Sequence, residues 1–313
     1  MAPVEAIGCG GYAPVPSSPE TQAGEAPLSI EIVPASAMVG AIVTGVDVDR
    51  LAESDKDQLR QAFLQYGVLV FRRQHLDNRQ QIILSNLFGE TVPHPVERVR
   101  HPDEPMLIVL AANDGQAVAE DDPGADDIVG VLHWHADTMY TEVPTRGSLL
   151  NAIRLPAEGG DTAWLDRAEA YRSLPDAVKQ RIQDLEVVYS FEKTHRLQGV
   201  ISKGESLFPD VIHPLVYDHP ESGVPILNLS PTAAKEILGL PPQEAEELLD
   251  YLVDFTCREE RAYIHRWEEG DAILWDNWRT LHKTYGHPKR CPRVMHRTTL
   301  KSDFKMGRWV TAG

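Results

Sequence analysis

Apolar positions along this chain recur with two different periods. From Ser29 to Val33 and from Ala41 to Val46 they alternate or run on, which predicts two strands about a turn. From Ser54 the spacing becomes helical: Leu59, Ala62, Phe63 and Tyr66 form a stripe that Gly67 closes. Asp57 stands three residues after Ser54, an acidic residue in a loose capping-box position. Val68-Leu69-Val70-Phe71 reads as a short buried strand. A second helix is predicted from about Asp77, with Ile83, Leu84 and Leu87 on its apolar side and Gly89 at its end, and Met106 to Leu110 is extended.

Further on, Ser148 to Ile153 is extended, and Gly159-Gly160 precedes a short strand through Thr162-Ala163-Trp164, as in a tight antiparallel turn. Asp166 caps a helix with Glu169 in the box position, and another begins at Ser173-Leu174-Pro175-Asp176. Glu186 to Phe191, Leu215 to Tyr217 and Pro225 to Leu229 look extended, and Pro242 opens a long amphipathic helix bearing Ala245, Leu248, Leu249, Leu252 and Val253. The last part is strand-rich: Ala262 to Trp267, Ala272 to Trp275 and Val294 to Lys301, with a turn at Gly270-Asp271. Many short strands with helices segregated from them predict an α+β fold built on a jelly-roll core rather than a parallel sheet.

Composition narrows the function classes. The 313 residues are 42% hydrophobic, enough for a sizeable core. A formal net charge of -17 argues against a nucleic-acid partner, which needs clustered Lys and Arg. Three scattered cysteines, Cys9, Cys257 and Cys291, fit neither a disulfide framework nor a metal site, and accord with a reducing cytoplasm. No apolar run is long enough to span a membrane. Residues 1–27, rich in Gly, Pro, Ser and Ala, are expected to form a flexible tail, with a single domain over 28–313. Within it, residues 113–128 carry six acidic side chains and predict a solvated, mobile loop, with a lid over the strand next in the chain as the functional alternative.

That strand carries His133-Trp134-His135-Ala136-Asp137. On an extended backbone residues two apart face the same way, so His135 and Asp137 would present an imidazole nitrogen beside a carboxylate oxygen. A second imidazole from a distant strand would complete a set of two His and one carboxylate, the facial ligand set of non-haem Fe(II) oxygenases. His265, His282, His287 and His296 are all available for that place.

Trp134-His135-Ala136-Asp137, Gly159-Gly160-Asp161-Thr162, Trp275-Asp276-Asn277 leading to His282, and Arg293-Val294-Met295-His296-Arg297 stand in one order. With these four motifs the chain, from about residue 29 to its end, resembles the taurine dioxygenase / 2,4-D dioxygenase (TauD/TfdA) family of Fe(II)- and 2-oxoglutarate-dependent dioxygenases. The resemblance implies a double-stranded β-helix and places iron on His135, Asp137 and His282. It implies that Thr162 and Arg293 hold the distal carboxylate of 2-oxoglutarate, a task that suits a planar guanidinium. It also implies that Arg297, four residues on, and His94 hold the anionic end of the substrate. O2 is then the oxidant, and the products are a hydroxylated substrate, succinate and CO2.

Departures from the family pattern also carry expectations. Val131 and Glu97 occupy positions where taurine-specific members bear polar or aromatic substrate contacts, so both are candidate substrate-lining residues and taurine is disfavoured. His133 has no family counterpart among the ligands and would share the face of His135 on a regular strand. The expected substrate is a small anion: a sulfonate, a sulfate ester or an aryloxyalkanoate. Alternatives are an amino-acid-like substrate, with Glu97 receiving its cation and desaturation as the outcome, and a zinc-dependent hydrolase on the same three ligands. A homodimer or homotetramer is compatible with all of these.

Overall fold

The computed structural model describes residues 29–36, 38–111, 128–197 and 207–310. The expected tail, and all of the expected acidic loop but residue 128, lie outside the described residues. Two antiparallel-rich sheets organise the site. The larger has eight strands, in the order Glu31–Pro34, Ala41–Thr44, Val68–Phe71, Ala272–Asp276, Gly147–Arg154, Val294–Leu300 and Thr91–Val92, with Leu107–Ala111 also paired to Val294–Leu300. Its single parallel pairing joins Ala41–Thr44 to Val68–Phe71. The smaller has four strands, in the order Tyr263–His265, Thr162–Asp166, Thr280–Pro288 and Ile128–His135, all antiparallel. A further four-stranded sheet joins Ala234–Leu238, Glu186–Tyr189, Val211–Pro214 and Arg308–Trp309.

The two main sheets share a core. Val68, Val70, Leu150, Ile273, Trp275 and Met295 of the large sheet pack with Trp164 of the small one, and the Trp164 and Trp275 rings lie 6.1 Å apart. Aromatic side chains of this size bring more apolar area out of water than any other residue type. On the other side of the large sheet, helices Glu53–Tyr66 and Asn78–Asn86 bury Leu59, Ala62, Phe63 and Leu84 against Leu69, Phe71, Leu149 and Leu274. The long helix Pro242–Thr256 buries Ala245, Leu248 and Leu252 in a third cluster, with the sheet that contains Val187 and Tyr189.

Local chemistry shifts several predicted boundaries. The first helix starts at Glu53, and its capping carboxylate is Asp55, which accepts the Ala52 N–H at 3.0 Å; Asp57 instead pairs with Arg60. Asp166 caps its helix as expected, though Glu169 bonds Arg172 and Ser173 instead of closing a box, and Asp77 caps the second helix with Gln80. The extended segment from Glu186 stops at Tyr189, because Phe191 already opens the helix Phe191–Leu197.

Candidate metal and anion site

The strand Ile128–His135 pairs with Thr280–Pro288 so that His135 stands directly opposite His282. Their ring centroids are 4.0 Å apart. Asp137 meets both: Oδ1 is 3.8 Å from His135 Nε2 and Oδ2 is 3.8 Å from His282 Nε2. One ligand atom from each of the three residues falls within 4.8 Å of the others, and among the described residues no other group of three or more His, Cys, Asp or Glu does so. His135 Nδ1 lies 2.7 Å from the His133 carbonyl, which can only accept. The proton is therefore on Nδ1, and the Nε2 lone pair faces Asp137. Burial pushes the pKa of both imidazoles down, that of His282 well below the usual range, so both are neutral donors. Burial alone would raise the Asp137 carboxyl, but the Arg297 guanidinium beside it outweighs this and holds the group far down, fully ionised.

A register shift decides which neighbours share this face. His282 pairs with His135 but Thr284 pairs with Leu132, so His133 and Trp134 together oppose Lys283 alone. This bulge inverts the alternation beyond it. Leu132, opposite Thr284, thereby takes the His282 side, while Val131, opposite Tyr285, goes to the other face with Lys283. The expectation that Val131 lines the pocket rests on the family resemblance; in register Val131 pairs with Tyr285, not with a ligand residue. Because of the bulge His133 is exposed and contributes its carbonyl, not its ring.

Asp137 itself lies beyond the end of its strand, which closes at His135. Asn277 fixes it instead: its Oδ1 accepts the Asp137 N–H at 2.7 Å, and its Nδ2 donates to the carbonyls of Asp137 at 3.0 Å and Thr145 at 2.8 Å. Ser230 Oγ accepts the Ala136 N–H at 3.0 Å. Thr138, next in the chain, has φ +54°, a left-handed conformation held by its hydroxyl accepting the Thr145 N–H. Below lies a sealed charge cluster: Arg146 and His219 both meet the Asp276 carboxylate, at 2.7 and 3.0 Å.

Two arginines reach the site from adjoining backbone. Arg297, on Val294–Leu300, donates from Nη2 to Asp137 Oδ2 at 2.6 Å and to Ser148 Oγ at 2.7 Å, with its guanidinium over the Trp275 ring at 5.2 Å. The field of Arg297 also reaches His94, whose pKa is lowered first by burial and then by Arg297 and Arg100. His94 is half-buried, its Nδ1 accepts the Val96 N–H, and Arg100 ties down its carbonyl. Glu97, by contrast, sits in the short 3-10 turn Glu97–Val99 with its side chain 85% exposed beside Arg100, so the structure does not bring it inward.

Arg293 precedes that strand by one residue, and its Nε and Nη2 are sealed from solvent with no hydrogen-bond partner. Burial lowers its pKa to about 10. Gly160 lies against it: a Cβ there would sit 3.4 Å from Arg293 Nε and 3.0 Å from Pro156 Cγ, and its φ is +82°. Two residues on, Thr162 is buried and its oxygen accepts the Trp267 Nε1–H at 3.0 Å. A buried guanidinium with N–H groups unmet is a site built for an anion.

Sequence reasoning had no means of singling out Ser148, which braces Arg297, and it passed over Tyr140, three residues past Asp137. The Tyr140 hydroxyl is pushed up to about 12 by burial and by the Asp137 charge, which places the ring beside the site. Tyr140 packs edge-on to Phe191 at 4.8 Å, and Phe191 to Phe208 at 5.0 Å, Phe208 being 41% exposed. Three aromatic residues spread over distant segments leave no local pattern to read.

The family model "Taurine catabolism dioxygenase TauD, TfdA family" matches residues 31–299. A (S)-phenoxypropionate/alpha-ketoglutarate-dioxygenase of Delftia acidovorans is 36% identical over 284 residues, covering 87% of this chain and 95% of its own. The crystal structure of a taurine dioxygenase from Burkholderia xenovorans superposes with a TM-score of 0.73 at 30% identity, covering 91% of this chain and 96% of that one. The crystal structure of AAD-2 in complex with Mn(II) and N-oxalylglycine gives a TM-score of 0.73 at 26% identity, covering 89% and all of the two chains respectively (100% of AAD-2). With a family match over most of its length and a relative above 30% identity, this chain belongs to the TauD/TfdA family of dioxygenases.

Proposed function

We propose that this protein is an Fe(II)- and 2-oxoglutarate-dependent dioxygenase that hydroxylates an unactivated C–H of a small aryl-bearing anion, an aryloxyalkanoate in the first instance. The observation that carries the cofactor assignment is the pairing of a converging His135, Asp137 and His282 with a buried, unmet Arg293. Three neutral-or-anionic donors leave half the coordination sphere of an octahedral metal to other ligands. Iron with its bound 2-oxo acid supplies the oxidising chemistry, consuming O2 and releasing succinate and CO2. A zinc hydrolase on the same three ligands has no use for a second anion clamp, which favours the oxygenase.

The chain's own residues would divide the work between metal, cosubstrate and substrate. The His133 carbonyl keeps Nε2 of His135 free for the metal, and Asn277 holds the Asp137 turn in place. Arg293 with Thr162 receives the distal carboxylate of 2-oxoglutarate. Arg297 with His94 receives the substrate anion, in a chain whose net charge of -17 otherwise repels one. Tyr140, Phe191 and Phe208 form an apolar wall beside Asp137, suited to an aryl group. The name of the Delftia relative supports the same substrate class. The two sheets packed through Trp164 and Trp275 are read as the halves of a double-stranded β-helix.

The test is succinate release above the uncoupled background with aryloxyalkanoates, sulfate esters, sulfonates and amino acids. Turnover with aryloxyalkanoates is expected. Turnover confined to neutral or cationic compounds would sink the anion site and leave the metal assignment standing.

A further inference from the structure

Thr162 is asked to donate to a carboxylate, yet a threonine hydroxyl rotates freely and accepts as readily as it donates. The structure supplies what would decide its direction. Trp267 Nε1 can only donate, and it points at Thr162 Oγ1 from 3.0 Å. With one lone pair occupied by the indole, the Thr162 proton points away from Trp267, open to another acceptor.

The indole is not loosely placed. Trp267 lies two residues past the strand Tyr263–His265, whose His265 pairs in register with Thr162 itself. The Trp267 ring stands edge-on to His265 at 4.7 Å. His265 is buried and tied at both nitrogens, by Tyr263 Oη at 2.9 Å and by Asp271 Oδ2 at 3.0 Å. Asp271 in turn accepts from Arg72 at 2.6 Å, from the Arg73 N–H at 2.9 Å and from the Glu268 N–H at 2.9 Å. That last bond closes the turn carrying Trp267. The buried network thus ends on one hydrogen bond into the cosubstrate pocket.

We infer that Trp267 is a positioning residue for 2-oxoglutarate: its indole N–H fixes the Thr162 hydroxyl as a donor aimed at the distal carboxylate. This rests on the proposed clamp of Thr162 and Arg293. It predicts a defect specific to the distal carboxylate, which a merely space-filling tryptophan would not produce.

The test is anaerobic titration of the Fe(II)-loaded enzyme, reading the metal-to-ligand charge-transfer band. The probes are 2-oxoglutarate and 2-oxobutanoate, which chelates alike but ends in a methyl group. Trp267→Phe should raise the Kd for 2-oxoglutarate about five- to tenfold, the worth of one neutral hydrogen bond. The Kd for 2-oxobutanoate should stay within about twofold of the parent, which also reports an intact fold and metal site. In a Thr162→Val background, Trp267→Phe should have no further effect. Equal weakening of both probes, a full-sized effect on top of Thr162→Val, or an unchanged 2-oxoglutarate Kd would each overturn the inference. If Thr162→Val alone leaves the 2-oxoglutarate Kd unchanged, the clamp itself is wrong and the role of Trp267 falls with it. A Thr162→Val defect without a Trp267→Phe defect removes only the latter.

Discussion

Arg297 Nη2 lies 2.6 Å from Asp137 Oδ2, so the proposed substrate cation rests on the proposed metal carboxylate. The same oxygen faces His282 Nε2 at 3.8 Å, whereas Oδ1 faces His135. One guanidinium therefore links the two halves of the site, and an anion entering beside it would alter the charge felt by Asp137.

From that link, Arg297→Ala should impair both functions together. The substrate KM is expected to rise about 10- to 100-fold, in line with truncating a partly buried charge pair. Fe(II) affinity should fall too, by a smaller factor. Isothermal titration with Mn(II) in parallel with steady-state kinetics checks this, and an effect on KM alone would mean the ion pair does not matter to the metal.

His135→Ala and Asp137→Ala should each abolish Fe(II)-dependent turnover while leaving the fold intact, since the core clusters draw on other residues. Circular dichroism and anaerobic reconstitution are sufficient. Near-full turnover in either variant would remove it from the ligand set.

Arg293→Met should stabilise the ligand-free protein while destroying its response to 2-oxoglutarate. The burial that lowers the Arg293 pKa from 12.5 to about 10 is a cost carried by the folded state. Replacing a buried, unpaired cation by an apolar side chain of similar length recovers about 1–3 kcal/mol. A raised thermal midpoint together with loss of the charge-transfer band is the expected pair of results. A lowered midpoint would mean that the guanidinium has a structural partner in solution.

Acid should weaken the fold through Asp276. Burial raises its pKa, but Arg146 and His219 outweigh it and bring it to about 2 from 3.8. Because the folded value lies below the unfolded one, the stabilisation is fully present above about pH 4 and is lost as pH falls towards 2. It amounts to about 2 kcal/mol. Urea midpoints measured across that range should fall more steeply for the parent than for Asp276→Asn. Parallel curves would exclude this carboxylate as the source.

Much of this was legible in the chain. The motif order singled out His135, Asp137, His282, Thr162 and both arginines, and the periodicities located most helices and most strands, but neither the strand Thr280–Pro288 that carries His282 nor the short Thr91–Val92. What escaped was whatever depends on register or on distant packing. His133 is expected on the face of His135 because a two-for-one mismatch is invisible in an alternating pattern. Glu97 was placed by a 3-10 turn that its sequence does not advertise. Trp267 reads only as the last residue of a strand, which in fact ends at His265, and nothing in the pattern shows that its single polar atom faces Thr162. Asn277 looked like part of a motif, but its task of holding the Asp137 peptide from both sides is a contact across 140 residues.

The extra residue at His133-Trp134 bears on how such a centre can be moved or lost. Strand pairing sets the phase of every side chain, and here the phase slips one step before the first ligand. A grafted His-x-Asp on an even strand would carry the right letters with the neighbours before them shifted by one position in register. Conversely, deleting either His133 or Trp134 would leave all three ligands in the gene and rotate the entire approach to them. The portable unit is therefore the mismatch between two strands, not the motif on one.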